Sequence, residues 1–188
     1  MRRRLLTLFL SLTTLAFAAD SAPTPLARED FIAALNRDLV VHFNLEGELQ
    51  LELPRPWTAP SRVASVWNIV VVEFPAVPSA SMLVRCRILA DQQIVADSTL
   101  VLRASHWREV WATRTPLTAG GAFNSTQLEP RRVDLFRERD VVPATVGDRT
   151  YLFARSVPAG RLLTWHDVAR RPLVKKGDLV EVSAAEGR

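Results

Sequence analysis

The residues that could do chemistry in this chain are few, and their spacing argues against most of it. His42, His106 and His166 are its three histidines, and none stands in an H-x-x-x-H or H-E-x-x-H spacing. That spacing is what places two imidazoles on one helix face for a metal. Cys86 is the single cysteine, which excludes a multi-cysteine metal site and an intrachain disulfide. It sits in Met82-Leu83-Val84-Arg85-Cys86-Arg87-Ile88-Leu89, alternating with arginines. That pattern predicts a small buried residue on a strand, not a reactive thiol. Glu46, Glu48 and Glu52 fall at even spacing and read as the wet side of a strand. The sequence contains no G-x-S-x-G, P-loop or G-x-G-x-x-G, and Gly120-Gly121 reads as a turn and not as a phosphate cradle. No catalysis, cofactor or metal is expected.

Binding chemistry has better material. Trp107 and Trp111 are four residues apart, with Arg108 and Arg114 nearby. On an extended chain they share one face, where core packing competes with partner contact. Further on, Arg155, Arg161, Trp165, Arg170, Arg171, Lys175 and Lys176 gather within about two dozen residues. Arginine and tryptophan are enriched at protein interfaces, and together they offer cation–π, apolar and charge-assisted contacts. A solvated basic surface is the competing reading.

The elements that must position these residues follow from pattern. The chain has 188 residues, 48% hydrophobic and 23% charged, which is globular and not disordered. Arg2 to Arg4 precede an apolar run from Leu5 to Phe17 and the small-residue site Ala16-Phe17-Ala18, so residues 1–18 read as a secretory signal. The run is shorter than the ~20 residues of a membrane span. The formal charge of +4 rests on 24 basic and 20 acidic residues, and three of the basic ones belong to that signal. The mature chain is near neutral, so neither nucleic acid nor stable membrane insertion is expected.

Residues 19–25 read as a flexible leader. Ile32, Leu35 and Leu39 recur at helical spacing and predict a helix over 26–43. From residue 46 onward the pattern is strand: Glu46–Leu53 alternates, and Trp67–Phe74 is a nearly continuous apolar run expected to be buried on both faces. Met82–Leu89 and Ile94–Arg103 flank Asp91-Gln92-Gln93 as a hairpin, and Trp107–Thr113 continues the β pattern. Residues 19–103 carry a net −3 and residues 104–188 a net +4, which places a domain boundary near residue 104.

The second half repeats itself at an offset of 40. Ala119–Leu128 lines up with Ala159–Val168, and Leu117 with Val157. Gly120 and Gly160 supply turns, and Asn124 and Thr164 stand at helix-cap positions. Thr164-x-x-Asp167 has the form of a capping box, with Asn124-x-x-Gln127 as its weaker counterpart. Each copy is predicted to be a strand, a glycine turn, a short strand and one or two helical turns.

Ala154-Arg155-Ser156-Val157-Pro158-Ala159-Gly160 through Val168, followed by Leu173-Val174-Lys175-Lys176-Gly177-Asp178-Leu179-Val180, resembles the SAF module, a β-clip domain. With the upstream copy Arg114 to Leu128 and the export signal, the whole chain resembles the flagellar basal-body P-ring formation protein FlgA family. The match is specific over residues 107–182 and architectural before them. The resemblance implies a mainly β protein with a few short helices: an N-terminal α+β domain over 26–103, then a SAF-like β-clip region over 104–188. It implies a monomeric periplasmic chaperone that binds the P-ring subunit and is not an enzyme. Family members continue past the G-D-x-V strand, so the β-clip is expected to be incomplete at its C-terminus. SAF modules also occur in sugar-acid enzymes and pilus assembly, which leaves an exported carbohydrate-binding or pilus-assembly module as the alternative. With many short strands, a client is expected to dock by strand addition along an edge shared by the two halves.

Overall fold

The computed structural model describes residues 22–147, 151–172 and 179. The expected signal at 1–18, and Lys175, Lys176 and Gly177, lie outside the described residues. In chain order the elements are β1 (Thr24–Pro25), α1 (Arg28–Phe43), β2 (Glu48–Glu52), β3 (Val63–Ala64), β4 (Trp67–Glu73), β5 (Ser81–Ala90), β6 (Gln93–Thr113), β7 (Leu128–Asp134), β8 (Tyr151–Phe153) and β9 (Val168–Arg170). Short 3-10 turns at Ser125–Gln127 and Trp165–Asp167 precede β7 and β9. Among the described residues the protein is mainly β with one long helix.

Helix α1 buries Phe31, Ala34, Leu35 and Leu39, one stripe at helical spacing. Glu29 and Asp30 sit at its positive end, where the backbone dipole favours carboxylates. It stops at Asn44, whose φ of 49° is left-handed, and the Leu45 N–H closes back on the Val40 carbonyl at 3.0 Å. The helix packs on a sheet of order β2-β6-β5-β4. Two of its polar side chains reach the outer strands of that sheet. Asn36 Nδ2 donates to the Leu49 carbonyl at 2.5 Å, and the Val71 N–H donates to Asp38 Oδ2 at 3.1 Å. Backbone groups that an edge would leave to water are thereby taken up.

Two expectations change here. Strand β4 is buried on one face only, with Val70 and Val72 each 39% exposed, because α1 covers just one side of the sheet. The leader is tied down at its end, with Thr24 opposite Ala64 and the Trp67 indole donating to the Thr24 carbonyl at 2.9 Å. Strand β6 runs unbroken from Gln93 to Thr113 across residue 104, so the two halves are joined by a strand. Charge balance reports the solvated side chains; continuity is set by the backbone ladder.

The ladder of β6 explains the architecture. Arg103 is paired both with Ser81 of β5 and with Glu52 of β2, so those strands lie on opposite edges. Trp107 is paired with Glu48 of β2 and Asp134 of β7, and Val110 with Arg131 of β7 and Pro143. Strands β5 and β7 therefore succeed each other along one edge. Strand β2 and the 143 segment succeed each other along the other. The β5–β6 hairpin turns on Asp91 and Gln92, both at positive φ, as a two-residue reversal of this hand requires.

Past residue 110 the bonding is symmetric under the 40-residue offset. Gly120 N–H donates to the Phe153 carbonyl at 2.8 Å, and Gly160 N–H to that of Thr113 at 2.7 Å. Phe153 N–H donates to Gly121 at 2.9 Å, and Thr113 N–H to Arg161 at 2.8 Å. Leu117 and Val157 bridge each other on the axis. The two copies thus embrace as a pseudo-twofold pair around Leu117, Phe123, Leu128, Val142, Phe153, Val157, Leu163 and Val168.

Gly47 and Gly160 separate two costs of adding a side chain. Gly160 has φ +80° and open space where a Cβ would stand, so Gly160→Ala carries only the left-handed backbone cost of about 1 kcal/mol. Gly47 has φ +110°, and a Cβ there would lie 2.5 Å from the Trp107 carbonyl oxygen. Gly47→Ala should destabilise the chain by about 2 kcal/mol more than Gly160→Ala, read by urea denaturation. Equal midpoints would contradict the close approach of β2 and β6.

Candidate functional site

The residues singled out from the sequence divide into separate places. The first is the junction where β2 meets the middle of β6. There a cleft of about 500 Å3 is lined by Glu46, Gly47, Glu48, Trp107, Arg108, Glu109, Arg132, Ala144 and Thr145. Trp107 stands outside the core, with the Arg132 guanidinium over its ring at 5.3 Å and its indole N–H donating to Gln50 at 3.2 Å. Arg132 also pairs with Glu48, and Arg108 with Glu46. Beneath the cleft, buried His106 bonds through Nε2 to the Glu46 carbonyl at 2.8 Å. Asp134, also buried, accepts from the His106 and Phe136 N–H groups at 2.9 and 3.1 Å. These bonds satisfy the junction's polar groups, so its chemistry is structural and charged at the rim.

Trp111 shares a face with Trp107 but not its surroundings. It packs on the C-terminal cluster and donates to the Val146 carbonyl at 3.1 Å. Core packing describes Trp111; Trp107 lies outside it.

The second place is the turn of the second repeat. Asp167 Oδ2 accepts from Thr164 N–H at 2.8 Å and from Thr164 Oγ1 at 2.6 Å, while Oδ1 accepts from Arg155 Nε at 2.5 Å. Burial opposes the charge on Asp167, but the Thr164 hydrogen bonds and the Arg155 cation outweigh it and hold the carboxyl below its usual range. Arg155 is thus committed to the turn. In the first copy, the Asn124 side chain accepts from Thr126 N–H at 2.9 Å. Gly120 and Gly160 stand at positive φ.

The remaining residues are exposed. Trp165 is 42% exposed and lies over Tyr151 at 5.9 Å, and the β8–β9 register sets Arg170 opposite Tyr151. Arg171 follows in the chain, also exposed. Arg161 is apart from them: its backbone joins Thr113, and Arg131 reaches the adjacent Gly160 carbonyl at 3.2 Å. Pattern reading missed Tyr151 and Arg132. The repeat alignment, extended upstream to pair Trp111 with Tyr151, carried the first; Arg132 meets Trp107 only through strand pairing.

The histidines sit in three different settings. His42 stacks on Phe74 at 3.7 Å, His106 is the buried junction residue, and His166 is exposed in the second turn. Cys86 is fully buried, and burial pushes its thiol up to about 11. Among the described residues no group of three metal-ligating side chains converges. Nor is any helix there long and apolar enough to cross a membrane.

The geometry defines a class: a mainly β protein in which a helix-backed sheet and a pseudo-symmetric β-clip are joined by one long strand. Its fold is that of the flagellar protein FlgA. The chain is similar to the crystal structure of Salmonella FlgA in open form at 14% identity, with a TM-score of 0.50, over 75% of this chain and 64% of that one. The closed form gives 14% identity and a TM-score of 0.49 over 75% and 69%. FlgA from Thermotoga maritima MSB8 gives 16% and 0.49 over 82% and 57%. The chain therefore spans between 57% and 69% of the length of these structures. No protein-family model and no curated protein matches the sequence.

Asp167 gives a pH test of the turn. Its lowered pKa means that its stabilisation is present above the unfolded carboxylate value of about 4 and is lost as pH falls through the folded value. Asp167→Asn should therefore lower the melting temperature at pH 7, with the gap from wild type narrowing below pH 4. A gap that stayed constant down to pH 2 would show that the charge on Asp167 does not hold the turn.

Proposed function

We propose that this chain is a periplasmic assembly chaperone that binds the flagellar P-ring subunit and promotes P-ring formation around the basal-body rod. The observation that carries this reading is the FlgA fold across three quarters of the chain, supported by the repeated motif of residues 114–128 and 154–168. The chain acts by transient protein binding and not as an enzyme. Among the described residues its buried polar groups are committed to backbone and turns, while Trp107, Trp165 and exposed arginines line surfaces. Exported by its first 18 residues, it meets its client beyond the inner membrane.

The carbohydrate reading needs an open aromatic face. At the junction cleft the Trp107 ring is already covered by Arg132, which favours a protein partner over a stacked sugar there.

Deleting the gene in its own bacterium should leave basal bodies without P-rings and cells non-motile on soft agar, with both restored by the gene in trans. A deletion strain with normal P-rings by electron microscopy and full motility would overturn the reading.

A further inference from the structure

We infer that the face formed by Tyr151, Trp165 and Arg170 is the docking surface, and that it takes an acidic segment of the partner protein with an apolar side chain beside the carboxylate. The inference rests on the chaperone reading only for the identity of the client. The surface itself stands on an internal comparison that the repeat makes possible.

The two copies share their backbone bonding, so the first copy shows what the fold alone requires at each position. Opposite Trp165 in the alignment is Ser125, and opposite Arg170 is Pro130. Ser125 and Pro130 are both exposed, so the fold leaves these positions in water. Serine makes the same 3-10 turn in the first copy that tryptophan makes in the second. An indole 42% exposed at such a place is not demanded by the turn. Nor does it complete the core, whose members in this copy are Phe153, Val157, Leu163 and Val168. Arg155 is the contrasting case: it also replaces a neutral residue, Thr115, but its partner Asp167 explains it.

The chemistry of the occupant follows from what the face presents. It offers an indole, a half-buried phenol ring and the Arg170 cation, with Arg171 next in the chain. The carboxylate of this turn, Asp167, is buried and bonded to Thr164 and Arg155. Among the described residues, neither Arg170 nor Arg171 joins a salt bridge. A cation set across the strand pair from Tyr151, whose ring meets Trp165, suits a carboxylate whose neighbour packs on the rings, the pairing that recurs at interface hot spots.

The test uses the mature chain and the purified P-ring subunit of the same bacterium, with binding measured by calorimetry. Trp165→Ala and Arg170→Glu should each weaken binding by about tenfold or more with unchanged melting temperatures. Ser125→Ala in the first copy should leave binding as it was. In parallel, overlapping peptides covering the subunit are arrayed beside copies with Asp and Glu replaced by Asn and Gln, together with unrelated acidic peptides. Peptides that need Trp165 should be acidic and should lose binding as their amide copies. The docking surface is overturned if amide copies bind equally. It is also overturned if both variants keep wild-type affinity while Trp107→Ala loses it, and that result leaves the chaperone reading standing. If the subunit and its peptides do not bind but unrelated acidic peptides bind in a Trp165-dependent way, the surface stands and the P-ring reading falls. No binding in any arm overturns both.

Discussion

Strand β6 is the constraint on which the rest of the molecule depends. Over residues 93–113 its two edges are passed from one partner to the next, β5 then β7 on one side, β2 then the 143 and 162 positions on the other. A backbone N–H or C=O left unpaired in such a place costs about 1–3 kcal/mol, so each handover has to be met by the next strand without a gap. At the handover near residue 107 the demand is met by unusual means. Gly47 allows β2 to approach without a Cβ, His106 bonds back to Glu46, and Asp134 takes the N–H groups where β7 leaves the ladder. The rim pairs Arg108–Glu46 and Arg132–Glu48 then span the same junction. Exposed pairs of this kind add little on their own, so the buried bonds and the close approach hold the two halves in register.

The C-terminal region solves the problem of a small core by duplication. One 40-residue unit has too little apolar surface to fold around itself. Two of them, exchanging strands about the Leu117–Val157 bridge, bury eight side chains in a shared cluster. Duplication also frees sequence. Where the scaffold is secured by both copies, one copy can carry residues that the fold does not need. The second copy carries an arginine–carboxylate pair inside its turn and an exposed ring outside it, where the first has a plain Asn cap and a serine. At the other end of the molecule, α1 offers side chains to strands β2 and β4, the outer members of its sheet. Strand addition by a client has less to bond with there than the many short strands of the sequence implied.

How much of this was legible in the residues differs by kind of interaction. The helix, the hairpin at Asp91-Gln92, the strand periodicities, the glycine turns and the Thr164–Asp167 box are local, set by spacing within a few residues. They read directly from the sequence, as does the buried setting of Cys86. The repeat was visible too, because it is self-similarity along the chain. Its extent was not: the paired bonds 120 to 153 and 160 to 113 carry the copies back towards residues 111 and 151, where Trp111 and Tyr151 differ in type and give no obvious match. The charge shift near residue 104 did not show that one strand would run across it, because charge is a surface property while the continuity of β6 is set by backbone pairing.

Among the candidate binding residues, the sequence by itself determined the types: tryptophans, and arginines concentrated in the basic second half of the chain. Their division was decided only in three dimensions. Arg155 is paired with a carboxylate twelve residues away, Trp111 packs on the core, Trp107 lies beneath Arg132, and Trp165 faces outward over Tyr151. The reason is physical. Exposure and partnership depend on which distant segment covers a side chain, and strand order and the pseudo-twofold axis set that, not the spacing of neighbours along the chain.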